Sequence, residues 1–178
     1  MMAGKLIALA LMTALSSAHA FELIGVKGIK FGADQQAVEA QGLQCKVDGE
    51  QRVECASNDT IFGFESSVRA FFREEKVVQI RVVAIDSKPL DLVSAFTKVL
   101  GKPKQFTERR GRHDLTIHYW VAKDGTSVST FGTLETLVVK HPDTGEERHF
   151  ASADYLDKEP TARLLARAKK AEQVKRDF

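Results

Sequence analysis

The sequence is short of almost every feature that identifies a function on sight. It has only two cysteines and one tryptophan in 178 residues, and no stretch carries a specific catalytic, cofactor or ligand motif. Its 26 basic and 24 acidic side chains nearly cancel, so no overall field draws in nucleic acid or another acidic polymer. Charged residues at 28% and apolar residues at 43% are ordinary globular levels, which excludes wholesale disorder. Histidine is missing from the first half of the chain that follows residue 20, so a metal site there would lack its commonest ligand. No apolar run reaches the roughly twenty residues that a bilayer-crossing helix needs; the run from Leu6 to Leu15 has about half of that.

That short run is preceded by Met1-Met2-Ala3-Gly4-Lys5 and followed by Ser16-Ser17-Ala18-His19-Ala20. A positive start, an apolar centre and a small-x-small end are the three parts of a secretory signal peptide, cleaved here after Ala20. The expected product is a soluble, periplasmic protein that begins at Phe21, with no cysteine placed to take a lipid. Residues 21–178 fit one domain or two small fused units.

An exported chain meets an oxidising compartment, so Cys45 and Cys55 are expected to pair, leaving no thiol for catalysis. The stretch between them has Asp48-Gly49 near its middle and polar flanks, which reads as a hairpin tip. Register then constrains the turn. For the sulfurs to meet across the strands the turn must be centred on Glu50, with an odd loop of about three or five residues. A two-residue turn on Asp48-Gly49 would set Cys45 opposite Arg52 instead.

Periodicity divides the rest of the chain. A short helix is expected over 32–41, with Asp34 near its start and Gly42 as its stop. Strand-like runs follow over 43–47, 52–56, 67–73 and 77–85, with Val68, Ala70 and Phe72 sharing one face of the third and Val78, Ile80 and Val82 one face of the fourth. Glu74-Glu75-Lys76 joins these two as a tight polar turn, and Ile61-Phe62-Gly63-Phe64 reads as a loop whose aromatics finish a core. The pattern then starts again. A helix is expected over 89–100, with Leu92, Val93, Phe96, Val99 and Leu100 at helical spacing and Gly101 and Pro103 at its end. Strands follow over 104–109, 115–122, 126–131 and 134–140, and Lys123-Asp124-Gly125-Thr126 marks a hairpin between two of them. Residues 159–178 are a third helix candidate, with a thin apolar stripe of Leu164, Leu165, Ala168, Ala171 and Val174 among basic side chains.

Strands with one apolar face must be covered, and one helix per meander is the natural cover. The expected fold is therefore α+β: two fused helix-plus-antiparallel-meander units over 21–86 and 87–157, repeated in tandem, with a basic, solvated C-terminal helix or tail over 158–178.

Gly28-Ile29-Lys30-Phe31-Gly32 leads into the first helix, and Leu100-Gly101-Lys102-Pro103 leads out of the second toward strands carrying Trp120. In this layout the chain resembles the helix-plus-antiparallel-sheet units of the outer-membrane assembly lipoprotein BamE (SmpA) and of the β-lactamase inhibitor protein, which has two such units in tandem. The resemblance implies a binding or scaffold role, and no binding residue is carried over from either family.

His113, His118, His141 and His149 all fall in the second half. Parity sets His113 and His118 on opposite sides of a strand, and neither a metal site nor a cofactor is expected. Asp114 beside His113 gives a hydrolase alternative, with no nucleophile or oxyanion loop to complete it. Glu108-Arg109-Arg110-Gly111-Arg112-His113 is a compact basic hairpin tip. Guanidinium forks bind carboxylate or phosphate through paired hydrogen bonds, so Arg109, Arg110 and Arg112 are the first choice for contact with an acidic partner. Trp120, on the strand face opposite Tyr119, is the aromatic candidate for the same contact. The expected function is that of an exported, non-enzymatic protein-binding, adaptor or inhibitor-like protein whose partner is another envelope protein. The alternatives are an exported hydrolase using His113 and Asp114, and an envelope structural protein held at the membrane by its basic tail.

Overall fold

The computed structural model describes residues 26–47, 53–61, 63–110, 113–132, 137–140, 145 and 147–176; the expected signal peptide lies outside them. Helix α1 (Gln35–Glu39) and strands β1 (Gln44–Val47), β2 (Val53–Ile61), β3 (Phe64–Arg73) and β4 (Lys76–Ile85) come first. Then follow α2 (Pro89–Leu100), β5 (Lys104–Arg110), β6 (His113–Val121), β7 (Ser127–Gly132), β8 (Leu137–Lys140), β9 (Glu147–Leu156) and α3 (Lys158–Arg176).

Local chemistry explains the element ends. Asp34 caps α1 by accepting from the Ala37 N–H at 2.9 Å. Pro89 fills the first turn of α2, where its missing N–H has no helical partner in any case, and the Asp91 carboxylate accepts from the Lys88 N–H at 2.8 Å. Gly101 ends that helix at φ +82°, a conformation that a side chain resists. The β3–β4 turn has no such residue: Glu74 and Glu75 take φ +48° and +62° themselves, between the paired Arg73 and Lys76. The expected loop around Ile61 is instead a strand end, with Ile61 paired to Phe64, and Phe62 lies outside the described residues.

Cys45 and Cys55 are directly opposite each other in the β1–β2 register and are joined by a disulfide. Val47 pairs with Val53, so the intervening residues centre on Glu50, as the register argument requires. The loop itself falls outside the described residues.

All strands join one antiparallel sheet in the order β1-β2-β3-β4-β9-β7-β6-β5. β8 pairs with the first part of β9, on the edge where β7 pairs with the last part. The α+β class and the two antiparallel meanders are both present, but the sheet dominates more than a pair of separate units implies. β9 is the reason. It pairs with β4 on one edge and with β7 on the other, so it sits at the centre of the sheet and joins the meanders.

The sheet has two unlike faces. On the first, α1 and α2 press Val38, Leu92 and Phe96 onto Cys55, Val68, Ala70, Ile80, Val82, Val128, Ala151 and Ala153. Phe96 packs against Trp120 at 5.5 Å and Tyr155 at 5.9 Å between ring centroids. On the second face α3 covers only the β5–β6–β7–β9 side. Leu164 and Ala168 pack on Phe106, Leu115, Ile117, Tyr119 and Leu156, and the Ser127 and Thr161 hydroxyls share a buried hydrogen bond of 2.8 Å. The expectation of a solvated tail is thus corrected: the apolar stripe is thin, yet it has a sheet face to close. On β1 to β4 the same face carries no buried residue, and its Ala56, Ser67, Arg69 and Phe71 are exposed or half-buried.

Candidate functional site

Two basic segments distant in sequence come together at one end of the sheet. α3 crosses from β9 to β5 and ends beside the β5–β6 hairpin. Between them is a cleft of about 540 Å³, lined by Thr107, Glu108, Arg109 and Asp114 of the hairpin and by Arg167, Lys170, Ala171, Val174 and Lys175 of the helix. The helical residues fall at the i, i+3, i+4, i+7 spacing of one helix face, next to the stripe that seats α3. α3 holds seven of the chain's 26 basic side chains but only two of its 24 acidic ones, so positive charge collects where the net charge gave no hint of it.

Hydrogen bonding decides which of these charges are free. The Arg167 guanidinium grips Glu108 through two bonds, of 2.6 and 3.0 Å, and stacks on the Phe106 ring at 5.8 Å. That pair neutralises itself and fixes the helix to β5. Arg109, Lys170 and Lys175 have no hydrogen bond or ion pair among the described residues, and the lining leaves only Asp114 to oppose them. Ala171 and a half-exposed Val174 supply an apolar floor beside these cations.

The other charged surface is already satisfied. On the open face of β3 and β4, Arg69 stands directly opposite Arg81. Glu54 lies 3.3 Å from Arg69, and Asp154 binds Arg81 at 2.7 and 3.1 Å. Arg81 also lies over the Phe71 ring at 5.5 Å. Those cations are held by partners within the sheet; in the cleft Arg109 stands opposite Asp114 in register without an ion pair, and Lys170 and Lys175 have no partner among the described residues.

The residues singled out in the sequence have different fates. Arg109 is exposed and lines the cleft. Arg110 ends β5 opposite His113, and Arg112 lies outside the described residues. Trp120 is corrected from contact to core: it is 3% exposed, packs under α2, and its indole N–H donates to the Gly101 carbonyl at 2.6 Å. Its face of β6 lies under a helix, which alternation within the strand could not reveal. His113 and Asp114 are successive positions of β6, paired in register with Arg110 and Arg109 of β5. His118 faces the first sheet face, where burial holds its imidazole below its ordinary pKa, and its Nδ1 has no hydrogen-bond partner among the described residues. Among the described residues no three His, Cys, Asp or Glu side chains come together as metal ligands. His141 is outside those residues.

No family model, curated protein or solved structure matches this chain. The functional reading therefore rests on the geometry. Sequence reasoning named one wall of the cleft, Arg109 and its neighbours, and missed Lys170, Ala171, Val174 and Lys175. The signal for those was present in their spacing on one face of a basic helix, but it points to a site only once the helix is seated on β5.

Proposed function

We propose that this chain is an exported, non-enzymatic binding protein of the envelope whose basic cleft takes an acidic surface of a partner protein. The observation that carries the reading is the convergence of three cations, from elements distant in sequence and with no ion pair among the described residues, around an apolar floor. Concavity favours an inserted protein segment over a flat surface, and charges free of internal partners lose no folded-state bond on meeting a carboxylate. Export is supported by the order of the first twenty residues and by the disulfide, which persists in an oxidising compartment. On the same reading the two meanders, each with a helix of its own, are fused units of an adaptor-like or inhibitor-like protein, in keeping with the resemblance drawn from their layout.

The test is affinity capture from envelope extract with the chain from residue 21 onward, beside a variant carrying Arg109→Ala, Lys170→Ala and Lys175→Ala. The expected result is one protein retained at low salt by the first bait, released at high salt, and absent from the second. Equal capture by both baits would remove the cleft from the account.

A further inference from the structure

We propose that the partner segment is held at the cleft as an added β-strand on the free edge of β5. The proposal rests on the reading of the cleft as an acid-binding site and goes beyond it by naming the mode of recognition and the shape of the partner: an extended acidic segment.

Three observations lead there. First, β5 ends the sheet order, and among the described residues no strand pairs its outer edge. Such an edge carries a row of unpaired N–H and C=O groups, a template for another strand. Second, the cleft is lined by Thr107, Glu108 and Arg109, three consecutive residues of that strand. Successive strand side chains take opposite faces, so one cleft touching all three reaches both faces of β5, and Asp114, opposite Arg109, extends it over one face toward β6. An occupant that follows the cleft from one face of β5 to the other passes the free backbone row. Third, the cations that have no ion pair among the described residues flank that edge. Arg109 shares its sheet face with Thr107, whereas Lys170 and Lys175 come from the helix seated on the opposite face. An added strand alternates its side chains in the same way, so acids on one face meet Lys170 and Lys175 while the other face meets Arg109.

The far edge of the sheet is shorter. β1 is four residues long against seven for β5, so it offers fewer backbone groups. A lipid surface of the same charge would meet the lysines without reaching the backbone row, so it predicts a different outcome below.

The experiment uses the whole chain from residue 21 and a pool of synthetic peptides as long as β5, seven residues. They carry Glu at alternate positions and Val, Thr or Tyr between. Each is compared with two analogues N-methylated at every second amide, one set on the odd amides and one on the even. In an added strand only one of these sets faces β5. Binding is expected for the parent pool, with one methylated analogue weakened by about tenfold or more and the other within about threefold. Hydrogen exchange of the β5 amides should slow in the complex while that of β1 is unchanged.

Binding that both analogues retain equally would overturn strand addition and leave the acid-binding cleft standing. If no peptide binds, or if only phosphatidylglycerol vesicles bind, both readings fall. Lys170→Glu with Lys175→Glu should abolish parent binding; parent binding that survives this change would place the peptide elsewhere and overturn the proposal.

Discussion

Arg69 and Arg81 face each other directly across β3 and β4, an arrangement that repels unless acids answer it. Glu54 and Asp154 do so, one at each end of the row. Changing Asp154→Ala removes a carboxylate that is 4% exposed and leaves two guanidinium groups opposite each other. A fully buried pair broken on one side costs about 3–5 kcal/mol, but the Arg81 side chain is 40% accessible and can turn to water. The cost should therefore fall near the low end for a hydrogen bond to a charged group, about 1–2 kcal/mol. For a chain of this length that lowers Tm by about 2–8 °C. Arg81→Ala should cost more than Asp154→Ala, because it strands the buried Asp154 carboxylate, and relief of the repulsion from Arg69 offsets only part of that. The assay is urea unfolding, disulfide intact, of the parent, both single variants and the double variant, with constant m-values as the check on two-state behaviour. A coupling energy of about 1 kcal/mol is expected, and one within about 0.3 kcal/mol of zero would refute the reasoning.

Other consequences of the packing can be measured in the same way. Phe96→Ala, which empties the space between Trp120 and Tyr155, should cost about 3–5 kcal/mol in urea unfolding, and a loss below about 1 kcal/mol would mean that α2 does not cover the sheet centre. Glu74→Asn with Glu75→Gly should stabilise by about 1 kcal/mol, since both positions have positive φ in a two-residue hairpin turn; destabilisation would contradict that turn. Burial lowers the His118 pKa in the folded chain, so the unfolded chain takes up the proton first as pH falls. Stability should be full above the ordinary value of 6.5 and decline as pH drops through it, and His118→Gln should flatten that decline in denaturation midpoints taken from pH 8 to pH 5; an unchanged slope would assign the effect to other groups.

Much of the layout was legible because helix and strand periods differ and the turn residues are explicit. The α2 boundaries, the Glu74-Glu75 turn and the register of the cysteine hairpin could all be read from residue spacing. β9 could not. Its core-facing residues include Ala151 and Ala153, a residue type depleted in strands, and its other face carries Ser152 and the Asp154 that serves Arg81. Small residues are what a central strand needs where Phe96 and its helix approach closely, so the packing that fixes β9 also hides it from a propensity reading. Trp120 was misplaced because alternation separates two faces without saying which lies under a helix. The cleft was half visible: the arginine-rich tip stands out in sequence, whereas its other wall depends on how α3 crosses the sheet.

The central claim is that contact with an acidic partner runs through the cleft and not through the open face of β1 to β4. A photo-crosslinking residue placed at Lys170, and separately at Ser67 on the open face, tests this in the cells that make the protein. The account predicts a discrete adduct from position 170 that disappears when Arg109 and Lys175 are changed to Glu, and no adduct from position 67. An adduct from position 67 alone would contradict it.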